Sequence, residues 1–250
     1  MTGTGKALAA RGHSHSGPAL VKRLGIASGL AAAGFAGFVR LYRPWHLRWG
    51  ATDEEVLREL PGDGVVVDPT FNATRAITVD APPQAVWPWI AQMGFGRAGW
   101  YSYDLLDNLG RHSADTIIPS LQDVRIGDLV PMGPGGGGLR VKELVPGEWL
   151  LWWDGVGHST WLWNLEQVAP GQTRLITRVR MRYRWTHPSI LFALLLMEPW
   201  DFPMMRKCML GIKRRVESAS PQAGPSPQSS RSKRPAGNRH ERRPTRCWSS

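Results

Sequence analysis

The segment WYSYDLLDNLG, residues 100–110, holds the side chains best suited to acid or base chemistry. Its carboxylates are Asp104 and Asp107, and burial beside the neighbouring aromatic rings would raise a carboxyl pKa towards values useful to a general acid or base. Solvated positions on a helix are the simpler interpretation of both. The candidate catalytic groups are therefore Asp104, Tyr103 and His112, although His112 stands alone as a base.

Other catalytic signatures are missing from the sequence. Gly94, Gly96 and Gly99 match GxGxxG, but they follow a predicted helix rather than a strand, so we expect a tight turn and not a nucleotide site. The chain has no HExxH, GxSxG or CxxC motif and no phosphate loop with lysine. Its two cysteines, Cys208 and Cys247, make no disulfide framework. We expect reduced thiols, no metal and no cofactor.

The positive charge of the chain lies at its two ends. Of the net charge of +11, residues 1–50 contribute +7 and residues 219–250 contribute +6, which leaves −2 for residues 51–218. Basic ends on a nearly neutral body indicate solvated or surface-seeking tails and no specific nucleic-acid partner. We predict disorder for residues 1–24 and 219–250, where packing residues are scarce.

An uncharged apolar stretch, residues 25–39, lies between basic residues and is predicted to form a helix over residues 25–44. The stretch is about 15 residues long, whereas a spanning helix needs roughly 20. Three interpretations remain open: a short membrane anchor, a signal peptide, and a helix that packs on the domain. We predict a cytoplasmic protein. If the helix is an anchor, it holds this protein at a membrane surface.

The elements that position the candidate residues follow from caps, prolines and periodicity. A capping box at Thr52 and Glu55 begins a short helix over residues 52–60. Residues 71–79 are predicted to form the first strand, after which Pro82 and Pro83 begin a helix whose apolar face holds Val86, Ile90 and Met93. A second helix is predicted over residues 100–109, with Gly110 as its C-terminal cap.

Turn residues separate five further predicted strands: 128–132, 139–145, 149–154, 160–168 and 173–185. In the last strand the arginines share one parity and the apolar residues share the other. This alternation predicts a solvent-exposed basic face and an apolar face directed towards a core or cavity. The basic positions are Arg174, Arg178, Arg180, Arg182 and Arg184. A long final helix is predicted over residues 201–216 from its apolar spacing of three and four.

Thirteen tryptophans are a large number for this chain, and Trp149, Trp153, Trp161 and Trp163 fall at strand positions of one parity. Large rings each bury about 150–250 Å². Such a set either fills a core or lines a pocket for a flat apolar ligand. The sequence leaves both interpretations open.

The order of elements resembles the START/polyketide-cyclase-like superfamily, known as SRPBCC, over residues 45–217. The resemblance is carried by ITVDAPPQAVWPWIAQM, WHLRWGATDEE, GRAGWYSYDLLDNLG and MMRKCMLGIKRR. It implies an α+β helix-grip fold, in which a curved antiparallel sheet of six or seven strands wraps a long C-terminal helix. It further implies an internal cavity for a hydrophobic molecule, with the expected ligand-binding residues Trp100, Tyr101, Tyr103, Trp161, Trp163, Met181, Met205 and Met209.

Three functions fit these expectations. The first is binding or carrying a hydrophobic small molecule or lipid, without catalysis. The second is a cyclase- or dehydratase-like enzyme on a hydrophobic, polyketide-like substrate, although no acid/base set of the enzymatic members stands at a matched position. The third is a structural protein whose tryptophans fill the cavity.

Overall fold

The computed structural model describes residues 17–183 and 198–219. The predictions for residues 1–16, 184–185 and 220–250 lie outside these residues. Six α-helices are described: α1 (Gly17–Gly37), α2 (Arg43–Leu47), α3 (Asp53–Leu57), α4 (Pro83–Ala91), α5 (Asp104–Asp107) and α6 (Glu198–Ala219). A π-helical turn, Phe38–Tyr42, joins α1 to α2, and a 3₁₀ turn covers Pro119–Leu121.

A six-stranded antiparallel sheet forms the centre of the domain. Its strands are β1 (Phe71–Val79), β2 (Leu129–Pro131), β3 (Gly138–Val145), β4 (Trp149–Trp153), β5 (Ser159–Ala169) and β6 (Gln172–Met181). Strands β2 to β6 follow one another as a meander, and β1 pairs with β6 at the far edge, which gives the order β1-β6-β5-β4-β3-β2. With α6 packed against one face of the curved sheet, the predicted α+β helix-grip fold is confirmed.

The main core lies between the sheet and the helices α4 and α6. Val86 and Ile90 are fully buried on the predicted face of α4, and Met93, just after its end, is fully buried too. Pro82 is the N-cap residue and Pro83 the first helical residue. Proline is favoured at the start of a helix because an N–H group there would have no partner within the helix. Five buried side chains of α6 form one apolar face: Phe202, Met205, Met209, Ile212 and Val216. Their spacing of three and four residues is the predicted apolar face.

The opposite face of the sheet is covered by the segment of the chain that precedes β1. The prediction of a solvent-exposed basic face on β6 is therefore wrong. Arg178 has a relative exposure of only 3% and forms an ion pair with Asp63. Arg174 is paired with Glu55, while Arg182 lies at the end of the strand and is exposed. A segment of α3 and the loop after it shields the first arginines, because Leu60 packs there against Leu151 and Ile176.

The second helix is much shorter than predicted. Only Asp104–Asp107 is helical, and Gly110, with φ 78°, ends this turn by donating its N–H to the Asp104 carbonyl. Trp100, Tyr101 and Ser102 are consecutive and all buried. Successive residues of a helix point about 100° apart, so a helix could not bury three in a row on one face. The chain instead takes an irregular course, with Tyr101 at φ 56°.

Strand register also corrects the grouping of the tryptophans. Residues directly opposite each other in an antiparallel pair share a face, and Trp152 is opposite Trp161. Trp152 therefore joins Trp161 and Trp163 on the core face, whereas Trp149 packs with the smaller cluster on the other face. Equal parity in different strands does not fix a common face, because the connecting turns reset it.

The first helix begins at Gly17, so residues 17–24 are helical although they were predicted to be disordered. By length and composition, the 23 residues Gly25–Leu47 are the one described helical segment that could span a membrane, with a mean hydropathy of 1.3 over an 18-residue window. A signal sequence near the N-terminus passes the same test. The last turns of this helical segment belong to the domain, because His46 is fully buried and Arg43 is paired with Glu198 of α6.

Candidate functional site

A cavity of about 580 Å³ lies between the core face of the sheet and the first half of α6. Its walls come from four places: the turn after α4, the segment around α5, the β2–β3 loop, and Trp161 of β5. Exposed apolar side chains line its open side: Leu106, Leu109, Met132 and Trp200. The size falls within the range of about 300–1,000 Å³ that is typical of small-molecule sites.

Stacked tryptophans form the aromatic wall of the cavity. The rings of Trp100 and Trp161 stack with a centroid distance of 5.6 Å and an interplanar angle of 13°. Trp152 meets Trp161 edge to face at 5.1 Å, and Trp163 lies behind them, fully buried. Trp161 donates its indole N–H to Thr177 Oγ1 at 2.9 Å. The orientation of the Trp161 ring is therefore fixed by Thr177 of the sheet and by the neighbouring tryptophan rings.

Asp107 is the polar group of chemical interest in this cavity. Helix α5 places it on the cavity wall, and both carboxylate oxygens are buried without a hydrogen-bond partner among the described residues. The neighbouring Ser102 hydroxyl donates to the Met204 carbonyl at 3.0 Å. Burial raises the pKa of Asp107 and outweighs the nearby Ser102 hydroxyl and the backbone N–H groups of residues 103 and 107, which act to lower it; the charge of Asp104 raises the pKa further. Asp107 thus lines the cavity, but its carboxylate oxygens have no exposed surface there.

Asp104, one turn earlier, has the opposite environment and does not line the cavity. Burial acts to raise its pKa, but hydrogen bonds from Ser113 and the proximity of His112 outweigh it and lower the pKa. Ser113 Oγ donates to Asp104 Oδ1 at 2.5 Å, and His112 Nδ1 lies 3.4 Å from Oδ2. The hydroxyl contacts the carboxylate and not the imidazole, and His112 is 97% exposed. This cluster is not arranged as a serine nucleophile with its base.

The predicted ligand-binding residues divide into two groups. Trp100, Trp161 and Met205 line the cavity, while the other five do not. Of these, Tyr103 is exposed, with the Lys207 ammonium 3.8 Å above its ring. Tyr101 is buried and donates its hydroxyl to the Trp89 carbonyl. The remaining three, Trp163, Met181 and Met209, belong to the core around the cavity.

Several lining residues were not predicted from the sequence. Trp200, Met204 and Cys208 follow one another at intervals of four and share one face of α6. That spacing was the signal, but the helix was predicted to begin only at residue 201. Burial raises the pKa of the Cys208 thiol, and the charge of Asp107 raises it further, so the thiol is not a ready nucleophile.

Metal binding finds no support at this site. Among residues 17–183 and 198–219, no group of three or more His, Cys, Asp or Glu side chains is placed to hold a metal ion. The expected absence of a cofactor remains a prediction.

No family model matches the chain, and no curated protein matches it. Among solved structures, the Aha1 dimer from Colwellia psychrerythraea is 16% identical, with a TM-score of 0.35, over 58% of this chain and 96% of that one. DynU16, a putative protein in the dynemicin biosynthetic locus, is 21% identical over 61% and 49%, with a TM-score of 0.34. The di-domain ARO/CYC BexL from the BE-7585A biosynthetic pathway is 18% identical over 58% and 46%, with a TM-score of 0.33.

The chain is thus similar to solved proteins of several kinds at low sequence identity. Likeness at this level carries no argument about function, and the α+β helix-grip architecture rests on the sheet order and on the packing of α6 described above.

Proposed function

We propose that the domain binds or carries a hydrophobic small molecule or lipid in the cavity. The observation that carries this proposal is an open space of about 580 Å³ walled by the rings of Trp100, Trp161 and Trp200 and by methionine side chains. Apolar pockets with few polar groups are the usual form of small-molecule sites. The alternative of a domain filled by its own tryptophans requires no void above about 300 Å³. The cavity exceeds that size, which argues against it.

A cyclase- or dehydratase-like enzyme is the second candidate, and Asp107 is the observation that favours it. A carboxyl group with a raised pKa is a better general acid near neutral pH than an ordinary one. Asp104, Tyr103 and His112 do not line the cavity, so the acid role would fall to Asp107. Turnover of a bound substrate that survives Asp107→Asn would remove this candidate.

We also propose that the N-terminal helix holds the domain at a membrane surface. The Arg43 guanidinium is hydrogen-bonded to Glu198, and the Trp45 ring packs on Phe202 with a centroid distance of 5.0 Å. Both partners lie in the first turns of α6, where Trp200 lines the cavity. An apolar ligand could then pass between lipid and cavity over a short distance. Complete recovery of the full-length protein in the soluble fraction would contradict this proposal.

Glycine positions in the β2–β3 loop allow a sharp test of the cavity. A side chain added at Gly133, which lines the cavity, meets open space, and so does one added at Gly135, which does not line it. Neither residue has a positive φ, so both accept a side chain without backbone strain. Gly133→Trp should fill the opening, and Gly135→Trp is the matched control.

The measurement is native mass spectrometry of the full-length protein after incubation with a total cell lipid extract. We expect a retained molecule on the wild type and on Gly135→Trp, and its loss from Gly133→Trp. Equal retention by all three proteins would show binding outside the cavity. An absence of retained mass on the wild type would count against the proposed function.

A further inference from the structure

The open side of the cavity carries a patch of exposed apolar side chains. Leu106, Leu109, Met132 and Trp200 line the opening, and each of them is at least 42% exposed. Leu105 of α5, which does not line the cavity, is 78% exposed. Single exposed apolar residues are ordinary on a protein surface, whereas several around one opening mark a surface that contacts a partner or a membrane. These five residues are called the rim below.

The N-terminal helical segment reaches the domain close to this rim. Its uncharged stretch, residues 25–39, ends four residues before Arg43, which is hydrogen-bonded to Glu198 of α6. Four helical residues span about 6 Å, so no linker separates the stretch from the domain. Trp45 and Trp200 are both more than half exposed near this junction, and tryptophan is enriched where a membrane meets water. A bilayer entered by residues 25–39 would therefore lie beside the rim.

Exposed basic side chains flank the rim. The Lys207 ammonium lies 3.8 Å from the centroid of the Tyr103 ring, just before α5, and Arg111 follows shortly after α5. The acids of α5 place little negative charge at this surface, because the Asp104 side chain is only 25% exposed and the Asp107 oxygens are buried. Apolar side chains bordered by lysine and arginine suit a bilayer that contains anionic headgroups.

We propose that the rim inserts into the surface of a lipid bilayer with anionic headgroups, so that the cavity opens directly into the membrane. This inference rests on the proposed function and deepens it, because it names the surface through which an apolar ligand enters. It also goes beyond the role proposed for the N-terminal helix, since the domain itself makes a second contact with lipid. A ligand that enters by this route avoids the unfavourable transfer of its apolar surface through water.

A second copy of the chain is a less suitable occupant of the rim than a bilayer. A symmetric dimer pairs the same surface patch of both copies. It would bring Lys207 and Arg111 of one copy towards the same residues of the other, and like charges that face each other across an interface are unfavourable. A dimer would also close the opening of the cavity. A bilayer covers the same apolar side chains, attracts the basic ones and leaves the opening in contact with apolar molecules.

The test places one nitrobenzoxadiazole fluorophore on the full-length protein in vesicles of phosphatidylcholine and phosphatidylglycerol. Three variants carry it, at Leu30→Cys in α1, at Leu105→Cys in the rim, and at Leu57→Cys. Leu57 is the matched control, because it is 84% exposed and belongs to α3, on the other face of the sheet. All three also carry Cys247→Ser, while Cys208 is buried. Lipid that is spin-labelled on its acyl chain quenches only a fluorophore that enters the bilayer.

We expect the spin-labelled lipid to quench most of the fluorescence at positions 30 and 105 and none at position 57. Leu106→Asp, added to the protein labelled at position 105, should remove most of the quenching there, because a carboxylate opposes insertion into lipid. Leu57→Asp, added to the same labelled protein, should leave the quenching unchanged. Quenching at position 105 should also be weaker on vesicles of phosphatidylcholine alone, where Lys207 and Arg111 meet no net negative surface charge.

The outcomes separate this inference from the proposed function. Quenching at position 30 without quenching at position 105 would overturn the inference and leave the membrane role of the N-terminal helix standing. Quenching at neither position would contradict both. Quenching at position 105 that survives Leu106→Asp would overturn insertion of the rim, and equal quenching on both kinds of vesicle would overturn the preference for anionic headgroups. Disulfide-linked dimers of unlabelled Leu105→Cys protein, with no quenching of the labelled protein, would assign the rim to a second copy. Ligand retention by wild type and Gly133→Trp tests the cavity independently of all these results.

Discussion

Replacing Arg178 by methionine should destabilise the domain strongly, although its sequence neighbours suggest a surface residue. The guanidinium uses its five N–H groups within the protein. Nε donates to Thr74 Oγ1, and Nη1 and Nη2 donate to Asp63 and to the carbonyls of Glu55, Val56 and Arg58. The carbonyls lie at the C-terminal end of α3, where a helix leaves its last C=O groups without partners. Arg178 therefore caps α3 from the sheet.

The size of the effect follows from the groups that lose their donor. In Arg178→Met, three backbone carbonyls and one hydroxyl lose the hydrogen bonds that Arg178 donates to them. Each lost hydrogen bond of this kind costs about 1 kcal/mol in the free energy of unfolding. Asp63 keeps a partner, because Arg180 Nη1 lies 2.9 Å from its other oxygen. We therefore expect a loss of about 4 kcal/mol in the free energy of unfolding, within the range for breaking a buried ion pair. A domain of this size would lose about 10 °C in Tm.

Arg182→Met is the matched control, since Arg182 has the same parity, follows β6 and is exposed. Its change should stay within about 0.5 kcal/mol. Urea unfolding followed by tryptophan fluorescence measures both variants against the wild type under the same solution conditions. Equal stabilities of the two variants, or a loss below about 1 kcal/mol for Arg178→Met, would contradict two conclusions: that Arg178 caps α3, and that this face of the sheet is covered.

Three further changes test other contacts. Gly211→Ala should cost about 2 kcal/mol, because its Cβ would lie 2.2 Å from the Tyr101 carbonyl oxygen, whereas Gly34→Ala meets open space and should be neutral or slightly stabilising in thermal unfolding. Asp107→Asn should raise Tm at pH 7 and lose this advantage towards pH 4: the folded pKa lies above the unfolded one, so the cost of ionising the wild-type carboxyl builds up as the pH rises from the unfolded pKa to the folded pKa and is complete above it. Thr52→Ala removes the capping box and should cost about 1 kcal/mol in urea unfolding, and an unchanged midpoint would contradict a role for that cap.

The elements that the sequence predicted well are those decided by neighbouring residues. Strand β1 has the predicted bounds, residues 71–79, because alternation and the prolines that follow are local signals. The capping box at Thr52 and Glu55 is present with both hydrogen bonds, and the GxGxxG glycines close a turn in which Gly94 and Gly99 bond each other in both directions. Each signal involves residues no more than a few positions apart, so tertiary packing has little to override.

The arginines of β6 show why the rest could not be predicted. Their shared parity correctly places them on the face opposite the main core, but burial depends on what covers that face. The cover is a segment more than a hundred residues earlier in the chain, whose carbonyls and carboxylates receive the guanidinium of Arg178. Alternation along one strand reports two faces, and it does not report whether another layer lies above them.

The same limit decides which carboxylate matters in the candidate site. Asp104 and Asp107 lie three residues apart on one helical turn, where side chains are neighbours. Asp104 accepts a hydrogen bond from Ser113. Asp107 lines the cavity together with Met204 and Cys208 of α6, which lie about a hundred residues later in the chain. Burial gives Asp107 its raised pKa, and the hydrogen bonds of Ser113 give Asp104 a lowered pKa. Chemistry at this site therefore depends on the docking of α6, so a change such as Gly211→Ala, which moves α6 away from residue 101, should alter ligand binding without touching the cavity wall.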